Sequence, residues 1–219
     1  MTTEARARNI TIVSDIGQVL TGAGVDIFRE VYRERKHELG VLKYSIRDDQ
    51  VGLERAFSRL NPLPNAQEGV RKLREGYQFG GYYTVRPETA KQVGINWLKE
   101  HNFPEPENIH VCKDHKDKVR KILDDFILNP DYPDNYVALI DDNADSLLKA
   151  AGKLVEDNPQ LRSATEKLIL IGFGGKSKEV QSGGVHIATG IRTFSLASWE
   201  EQDFSALQEN IDTLFALGK

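Results

Sequence analysis

The sequence predicts an α/β protein built on a Rossmann-like parallel sheet flanked by helices, with a helical cap inserted after the first strand. Short apolar runs alternate with amphipathic helical patterns along most of the chain. Each apolar run ends in polar or small residues, which is typical of strands in consecutive βαβ units. One long interval, 25–76, breaks this alternation because it contains helical patterns and no convincing strand. We expect that interval to cover the carboxyl ends of the strands.

The elements follow from hydrophobic spacing. Strands are predicted over residues 10–14, 79–83, 109–112, 137–140 and 168–172. Helices are predicted over 88–101, 117–127, 144–154 and 198–217. The helix over 117–127 places four apolar side chains on one face by three- and four-residue spacing, at Val119, Ile122, Leu123 and Phe126. Such a face is wide enough to cover a sheet.

The interval 25–76 predicts the domain organisation. Apolar residues share a face in each of two helical patterns, at Ile27, Val31 and Tyr32 and at Leu53, Ala56, Phe57 and Leu60. A run of Asn and Pro over 61–64 then ends the second pattern. We expect a core of residues 1–24 and 77–219 and a cap of residues 25–76. The alternative is one compact domain in which these helices are ordinary crossovers.

Composition limits the class of protein. A chain of 219 residues with 39% hydrophobic and 28% charged residues can bury a full core. The net charge of -4 gives no overall basic field, so neither nucleic acid nor an anionic membrane surface is an expected partner. No apolar stretch reaches the ~18 residues of a membrane span, and residues 1–8 lack the apolar core of a signal peptide. The single cysteine, Cys112, is expected to be a buried thiol, which fits a cytoplasmic location.

Chemistry-bearing residues follow the predicted strands. In an open parallel sheet, ligands bind outside the carboxyl ends of the strands. The residues at these positions are Asp15, Thr84, a lysine-rich turn with Lys116 and Lys118, and the pair Asp141 and Asp142. We expect them to converge on one site.

Taken in chain order, these residues resemble the four motifs of the haloacid dehalogenase (HAD) superfamily, most of whose members are magnesium-dependent phosphatases. The resemblance extends from about residue 10 to residue 148. The sequence Tyr-Thr-Val-Arg-Pro over 83–87, followed by Trp-Leu at 97–98 and Asn-Phe-Pro at 102–104, resembles the phosphatase branches in particular. The resemblance therefore implies a hydrolase of a small phosphorylated molecule.

The resemblance implies a role for each acid. Asp15 would attack phosphorus and form an acyl phosphate, which water then opens. Asp15 and Asp141 would hold Mg²⁺, with Asp142 or Asp145 in support. The backbone carbonyl of Gly17 would complete the metal ligands.

The resemblance also implies how phosphate would be held. Thr84 would donate a hydrogen bond to phosphate oxygens, and Arg86 could clamp a substrate anion. Lys118 is the first candidate for the lysine that neutralises phosphate and nucleophile; Lys116 is the alternative, and Lys113 is less favoured. Ordinary structural roles remain open: Thr84 as a helix cap, Arg86 as an exposed arginine and each lysine as a surface charge. We interpret His110 and His115 as ordinary polar residues.

Gly17 departs from the family pattern. Phosphatases of this family carry a second aspartate two residues after the first, which protonates the leaving oxygen and then activates water. Glycine offers no side chain for this role, which leaves a cap acid such as Asp26, Asp48 or Asp49 as the candidate replacement. Two functions therefore remain open: a phosphatase-type hydrolase, or a catalytically inactive HAD-like binding or interaction protein. The glycine-rich stretch over 172–177 fits neither a phosphate-binding P-loop nor a dinucleotide fingerprint, and we expect a loop there.

Overall fold

A computed structural model describes residues 10–22, 24–175, 177–180 and 184–216. In these residues one seven-stranded sheet forms the centre of the molecule, in the order β3-β2-β1-β4-β5-β7-β6. Its strands are β1 Ile10–Ser14, β2 Gln78–Val85, β3 Ile109–Cys112, β4 Tyr136–Asp141, β5 Leu168–Phe173, β6 Gly184–Val185 and β7 Arg192–Leu196. Every neighbouring pair is parallel except β6 and β7. The predicted fold class is thus confirmed.

Helices connect the strands. They are α1 Gly17–Leu20, α2 Gly24–Leu39, α3 Gln50–Ser58, α4 Ala66–Gly76, α5 Ala90–Glu100, α6 His115–Ile122, α7 Ala144–Asp157, α8 Arg162–Thr165 and α9 Glu201–Ala216. Short 3₁₀ turns cover Ile46–Asp48 and Pro159–Leu161, and a π turn over Leu123–Ile127 continues α6. No helix within the described residues is both long and apolar enough to cross a lipid bilayer.

The sheet is buried on both faces. Alternate residues of a strand point to opposite faces, so Ile12 packs with α4, α5 and α9 while its neighbour Val13 packs with α6 and α7. Ile140 and Leu139 divide in the same way on β4. The helical layers on the two faces exclude water from the sheet. Strands buried on both faces in this way are almost wholly apolar, as parallel strands commonly are.

The three helices of the 25–76 segment have different surroundings. α2 and α3 pack against each other, and the rings of Phe28 and Phe57 meet edge to face at 5.8 Å. α4 packs against β2, and its Val70 and Leu73 belong to the same apolar cluster as the sheet residue Ile12. α4 is therefore a crossover helix that leads into β2, whereas α2 carries side chains that line the candidate site.

Element boundaries differ from the prediction where side chains cap helices. α6 begins at His115, two residues before its predicted start, because the carboxylate of Asp114 accepts a hydrogen bond from the backbone N–H of Asp117 at 2.8 Å.

The strand β7 was not predicted. Its sequence Arg-Thr-Phe-Ser-Leu has little apolar character on its own, and its parallel pairing with β5 decides its conformation. Cys112 is buried, as expected.

Candidate active site

The reversal of strand order beside β1 brings two acidic residues together. β1 pairs with β2 on one side and with β4 on the other, so the chain leaves this point in opposite directions. Ser14 lies opposite Ile140, and the N–H of Asp15 donates to the carbonyl of Ile140 at 2.9 Å. Asp15 follows β1 and Asp141 ends β4, so both carboxylates lie at the edge where open α/β sheets bind ligands.

Lys118 bridges the two carboxylates. Its Nζ donates to Asp15 Oδ1 at 2.9 Å and to Asp141 Oδ2 at 2.5 Å. The lysine side chain is only 1% exposed. Lys116 instead pairs with Asp157 at the surface, because residues two apart on a helix point in nearly opposite directions. The structure thus places Lys118, and not Lys116, between the acids.

Burial and charge set the ionisation of this cluster. Burial raises the pKa of Asp15, but the charges of Lys118 and Arg86 and the Gly17 N–H outweigh it, and the net effect is a lowered pKa. Burial is also the largest effect at Asp141. Burial and the Asp15 charge raise the pKa of Asp141, and they outweigh the Lys118 charge, which lowers it. For Lys118, the two carboxylates overcome the effect of burial and raise the pKa. Asp15 is therefore ionised beside a fully charged lysine.

Gly17 allows the present orientation of Asp15. Its N–H donates to Asp15 Oδ2 at 2.7 Å, and a Cβ at position 17 would lie only 2.6 Å from that same oxygen. The Gly17 carbonyl accepts from the backbone N–H of Thr21 at 3.1 Å and from its hydroxyl at 2.7 Å. A side chain at position 17 would therefore force the Asp15 carboxylate to turn.

Thr84 lies near the end of β2 and Arg86 directly follows that strand, and both line the same cavity as Asp15. Thr84 is buried, and the N-cap of α5 is Thr89, so Thr84 is not the helix cap. The Arg86 guanidinium lies 4.8 Å from the centre of the Phe28 ring and 5.3 Å from that of Phe57. Its Nε is buried and has no hydrogen-bond partner among the described residues. Burial lowers the pKa of Arg86, although the negative charges of Asp15 and Asp142 act in the opposite direction. Arg86 is therefore a cation held by aromatic rings at the wall of the cavity.

The acids that follow β4 have separate surroundings. Asp141 Oδ1 accepts the Asn143 N–H at 2.7 Å, and Asp142 lines the cavity. Asp145 accepts the Ser177 hydroxyl and the backbone N–H groups of Lys178 and Glu179, each of the latter at 3.1 Å. Asp145 therefore anchors the loop after β5. Within the glycine-rich stretch predicted as a loop, Lys176 lies outside the described residues.

The cavity above these residues has a volume of about 740 Å³. The core contributes the polar floor, and α2 contributes a wall of aromatic and basic side chains, at Phe28, Arg29, Tyr32 and Arg33. His115 also lines the cavity, whereas the ring of His110 stacks on that of Tyr83 with 4.3 Å between ring centres.

None of the three cap acids considered as replacements for the missing aspartate lines the cavity, among the residues that the structure describes. Asp49 is instead held by Arg35 and Tyr44.

Comparisons with known proteins agree with this architecture. No protein-family profile and no curated protein matches the sequence. Among solved structures, YfnB of Bacillus subtilis, described as a HAD-hydrolase and bound to magnesium, matches with a TM-score of 0.52 and 11% identity over 92% of this chain and 99% of that one. A predicted phosphatase from Clostridium acetobutylicum matches with a TM-score of 0.50 and 12% identity over 91% and 99%. This protein has the haloacid dehalogenase-like fold.

The chemistry of the donors in this HAD-like fold is suited to magnesium. Within the described residues, no group of three or more His, Cys, Asp or Glu side chains converges as a protein-only metal cage. Mg²⁺ does not need one, because it commonly takes one or two carboxylates and completes its octahedron with water and substrate phosphate. Asp15 and Asp141 would supply two hard oxygen ligands. The Gly17 carbonyl already accepts two hydrogen bonds from Thr21, so the two carboxylates are the better-placed donors.

Sequence reasoning missed the cap side of the site in this HAD-like fold. It did not identify Arg29, Arg33 or Phe28 as cavity residues, and it treated His115 as an ordinary polar residue. A signal was present: the six residues of α2 that line the cavity recur at helical spacing, at Gly24, Val25, Phe28, Arg29, Tyr32 and Arg33. The pattern mixes aromatic and basic residues, so an apolar-face search does not detect it.

Proposed function

We propose that the protein is a phosphatase-type hydrolase that acts on a small phosphorylated molecule with Asp15 as nucleophile. One observation carries the proposal. The Asp15 carboxylate is held beside the Lys118 ammonium on the floor of a cavity that Thr84 and Arg86 also line. An ionised carboxylate can attack phosphorus there, while cationic and hydroxyl groups hold the phosphate oxygens.

The chain's own residues divide the reaction into two steps. In the first, an Asp15 oxygen forms a bond to phosphorus as the bond to the leaving oxygen breaks, which gives an acyl phosphate on Asp15. In the second, water adds to this phosphoryl group and releases inorganic phosphate and the free carboxylate. Lys118 and Arg86 reduce the repulsion between the carboxylate and the phosphate dianion throughout. Magnesium, held by Asp15 and Asp141, would supply further neutralisation of phosphate charge when bound.

The absence of an acid at position 17 predicts which substrates react. General acid–base assistance typically contributes about 10²- to 10⁴-fold in rate. Without it, an alkoxide leaving group departs slowly because no proton reaches it. We therefore expect aryl phosphates, whose phenolate leaving groups need less protonation, to react faster than sugar phosphates.

A phosphate-release assay with Mg²⁺ tests the proposal on aryl phosphates, nucleotides and sugar phosphates. We expect Asp15→Asn to lower turnover by at least about 100-fold, because the amide is not a nucleophile for phosphorus. Asp157→Asn, which removes an exposed carboxylate far along α7, is the matched control and should leave turnover unchanged. Equal activity of Asp15→Asn and the control would exclude Asp15 as the nucleophile.

The second candidate function is a HAD-like protein that binds a phosphorylated ligand without hydrolysing it. It is supported by the missing side chain at Gly17 and by the cavity lining, which among the described residues includes none of Asp26, Asp48 and Asp49. The hydrolase proposal predicts that Gly17→Asp turns over sugar phosphates about 10²-fold faster than Gly17→Ala. The alanine variant is the correct reference because both substitutions add the Cβ that displaces Asp15. If both are silent while calorimetry detects phosphate binding, the binding function is favoured.

A further inference from the structure

One face of α2 turns two arginines and two aromatic rings toward the cavity. Arg29 and Arg33 lie one helical turn apart, and Phe28 and Tyr32 lie beside them. Residues at this spacing share a helix face. The part of the cavity that faces the cap is therefore aromatic and positively charged.

Three other charged residues of α2, Glu34, Arg35 and Glu38, form ion pairs within the cap. Arg35 pairs with Asp49 at 2.7 Å and with Glu38 at 2.7 Å. The carboxylate of Glu34 accepts two hydrogen bonds from Arg59 at 2.9 Å. These contacts use the faces of α2 that point away from the cavity, and they balance its charge there.

The two cavity arginines lack such partners. Among the described residues, the ion-pair partner of Arg29 is Asp26, at 3.6 Å, and both side chains are largely exposed, so solvent screens the pair. Arg33 forms neither an ion pair nor a hydrogen bond with any residue that the structure describes. Two like charges one turn apart repel each other on a helix. An anionic ligand between them would remove this repulsion.

The arginines lie at a distance from the phosphate end of the cavity. α2 begins next to the Asp15 loop, since a Cβ on Gly24 would lie 3.2 Å from the Thr21 hydroxyl, which in turn donates to Gly17. With a rise of about 1.5 Å per residue, Arg29 is roughly 8 Å and Arg33 roughly 14 Å along the helix from Gly24. Lys118 and Arg86 serve the phosphate end, so Arg29 and Arg33 are left for a second group.

We propose that the substrate carries a second anionic group, a carboxylate or a second phosphate, which Arg29 and Arg33 bind at the cap end of the cavity. The guanidinium group matches the two oxygens of either anion in a bidentate hydrogen-bonded pair. The body of the substrate that joins the two anions packs against Phe28 and Tyr32 and is flat or apolar. This inference rests on the proposed function, because it assumes that phosphate occupies the Asp15 end.

Calorimetry with non-hydrolysable phosphonates, in the presence of Mg²⁺, tests the inference without requiring turnover. The probes are benzylphosphonate, its 4-carboxy derivative, its neutral 4-carbamoyl derivative and the para-diphosphonate. We expect the 4-carboxy compound or the diphosphonate to bind about tenfold or more tightly than the carbamoyl compound. The tighter of the two identifies the anion. Equal affinity of all three for the intact protein overturns the inference.

Two variants test whether Arg29 and Arg33 cause the preference for probes with a second anionic group. Arg29→Gln and Arg33→Gln should each remove most of this preference, while benzylphosphonate still binds and thereby shows that the variants are folded. Arg71→Gln, the same substitution on α4 at a surface pair with Glu68, is the matched control and should keep the full preference. Retention of the preference in Arg29→Gln and Arg33→Gln would contradict the assignment.

The inference and the proposed function fail in different ways. If the probes with a second anionic group bind preferentially but no phosphate ester is hydrolysed, the second-anion site stands and the hydrolase proposal falls. If esters are hydrolysed in an Asp15-dependent manner with no preference for a second anion, the hydrolase stands and the inference falls.

Discussion

Lys118 is the residue on which the electrostatics of the site depend. It is the cation buried between Asp15 and Asp141, and its three donor positions satisfy two carboxylates that have left water. A buried charge without a partner is costly, whereas a paired one is tolerated. The lysine therefore stabilises the fold as well as the proposed reaction.

The lysine can be tested for its contribution to stability. We expect Lys118→Met to lower the free energy of unfolding by about 3–5 kcal/mol at pH 7, because two carboxylates then lie buried without a cation. Lys116→Met removes the same group from an exposed pair with Asp157 and should cost less than about 1 kcal/mol. Urea denaturation without metal measures both. Similar losses in the two variants would show that Lys118 does not neutralise the buried acids.

At the scale of elements, the cap helices α2 and α3 are joined through Asp49. Arg35 Nε and the Tyr44 hydroxyl both donate to Asp49 Oδ2 at 2.7 Å, next to the start of α3. A Cβ on Gly52 would lie 2.6 Å from the Tyr44 oxygen, so a glycine permits this close approach. The contact fixes the orientation of α2, which presents its basic face to the cavity.

This contact predicts a pH dependence of stability. The hydrogen bond from Arg35 lowers the pKa of Asp49 to about 2 from an ordinary value of 3.8. A lowered pKa means that the stabilisation is complete above pH 3.8 and is lost as the pH falls toward 2. We expect Asp49→Asn to lower the free energy of unfolding by about 1–2 kcal/mol at pH 7 and by progressively less below about pH 4.

Urea denaturation at several pH values measures this difference. The neighbouring exposed carboxylate gives a matched control, Asp48→Asn, for which we expect no comparable loss of stability. A deficit of Asp49→Asn that stays constant from pH 7 down to pH 2.5 would contradict the assignment of the stabilisation to the ionised Asp49.

At the scale of the whole molecule, Trp199 connects the C-terminal part of the chain to the loop that carries the candidate nucleophile. Its indole N–H donates to the Val19 carbonyl at 2.7 Å, on the helix that follows Asp15 and Gly17. The ring packs directly on Gly69 of α4, where a Cβ would overlap it. Residues from three distant parts of the sequence thus support the floor of the cavity.

Two glycine substitutions with opposite expected effects test this packing. Gly69→Ala should destabilise the protein by about 1–3 kcal/mol, because the new methyl group displaces the Trp199 ring. Gly152→Ala, on α7, has open space around its Cβ and should stabilise by up to about 1 kcal/mol through helix propensity. Thermal or urea denaturation gives both values. An equal gain in the two variants would show that Trp199 does not contact α4 closely.

Much of the fold was predictable because its signals are local. Apolar runs and their polar ends predicted the bounds of β1 to β5 to within two residues. Lys118 became the first candidate lysine only through the resemblance to the HAD superfamily, with Lys116 as the alternative. β7 was missed because its conformation depends on pairing with β5. Arg29 and Arg33 were missed because the residues that recur at helical spacing on α2 mix aromatic and basic types, which a search for apolar helix faces does not detect.

The sequence by itself determined the order of strands and helices and the acids that follow them, because hydrophobic spacing and strand ends are properties of neighbouring residues. Only the tertiary structure decided that Asp15 and Asp141, 126 positions apart in the sequence, share one lysine. The parallel register of β1 and β4 sets their separation, and the packing of α6 buries the Lys118 ammonium between them. Such distances arise from the pairing of remote segments, which no local pattern encodes.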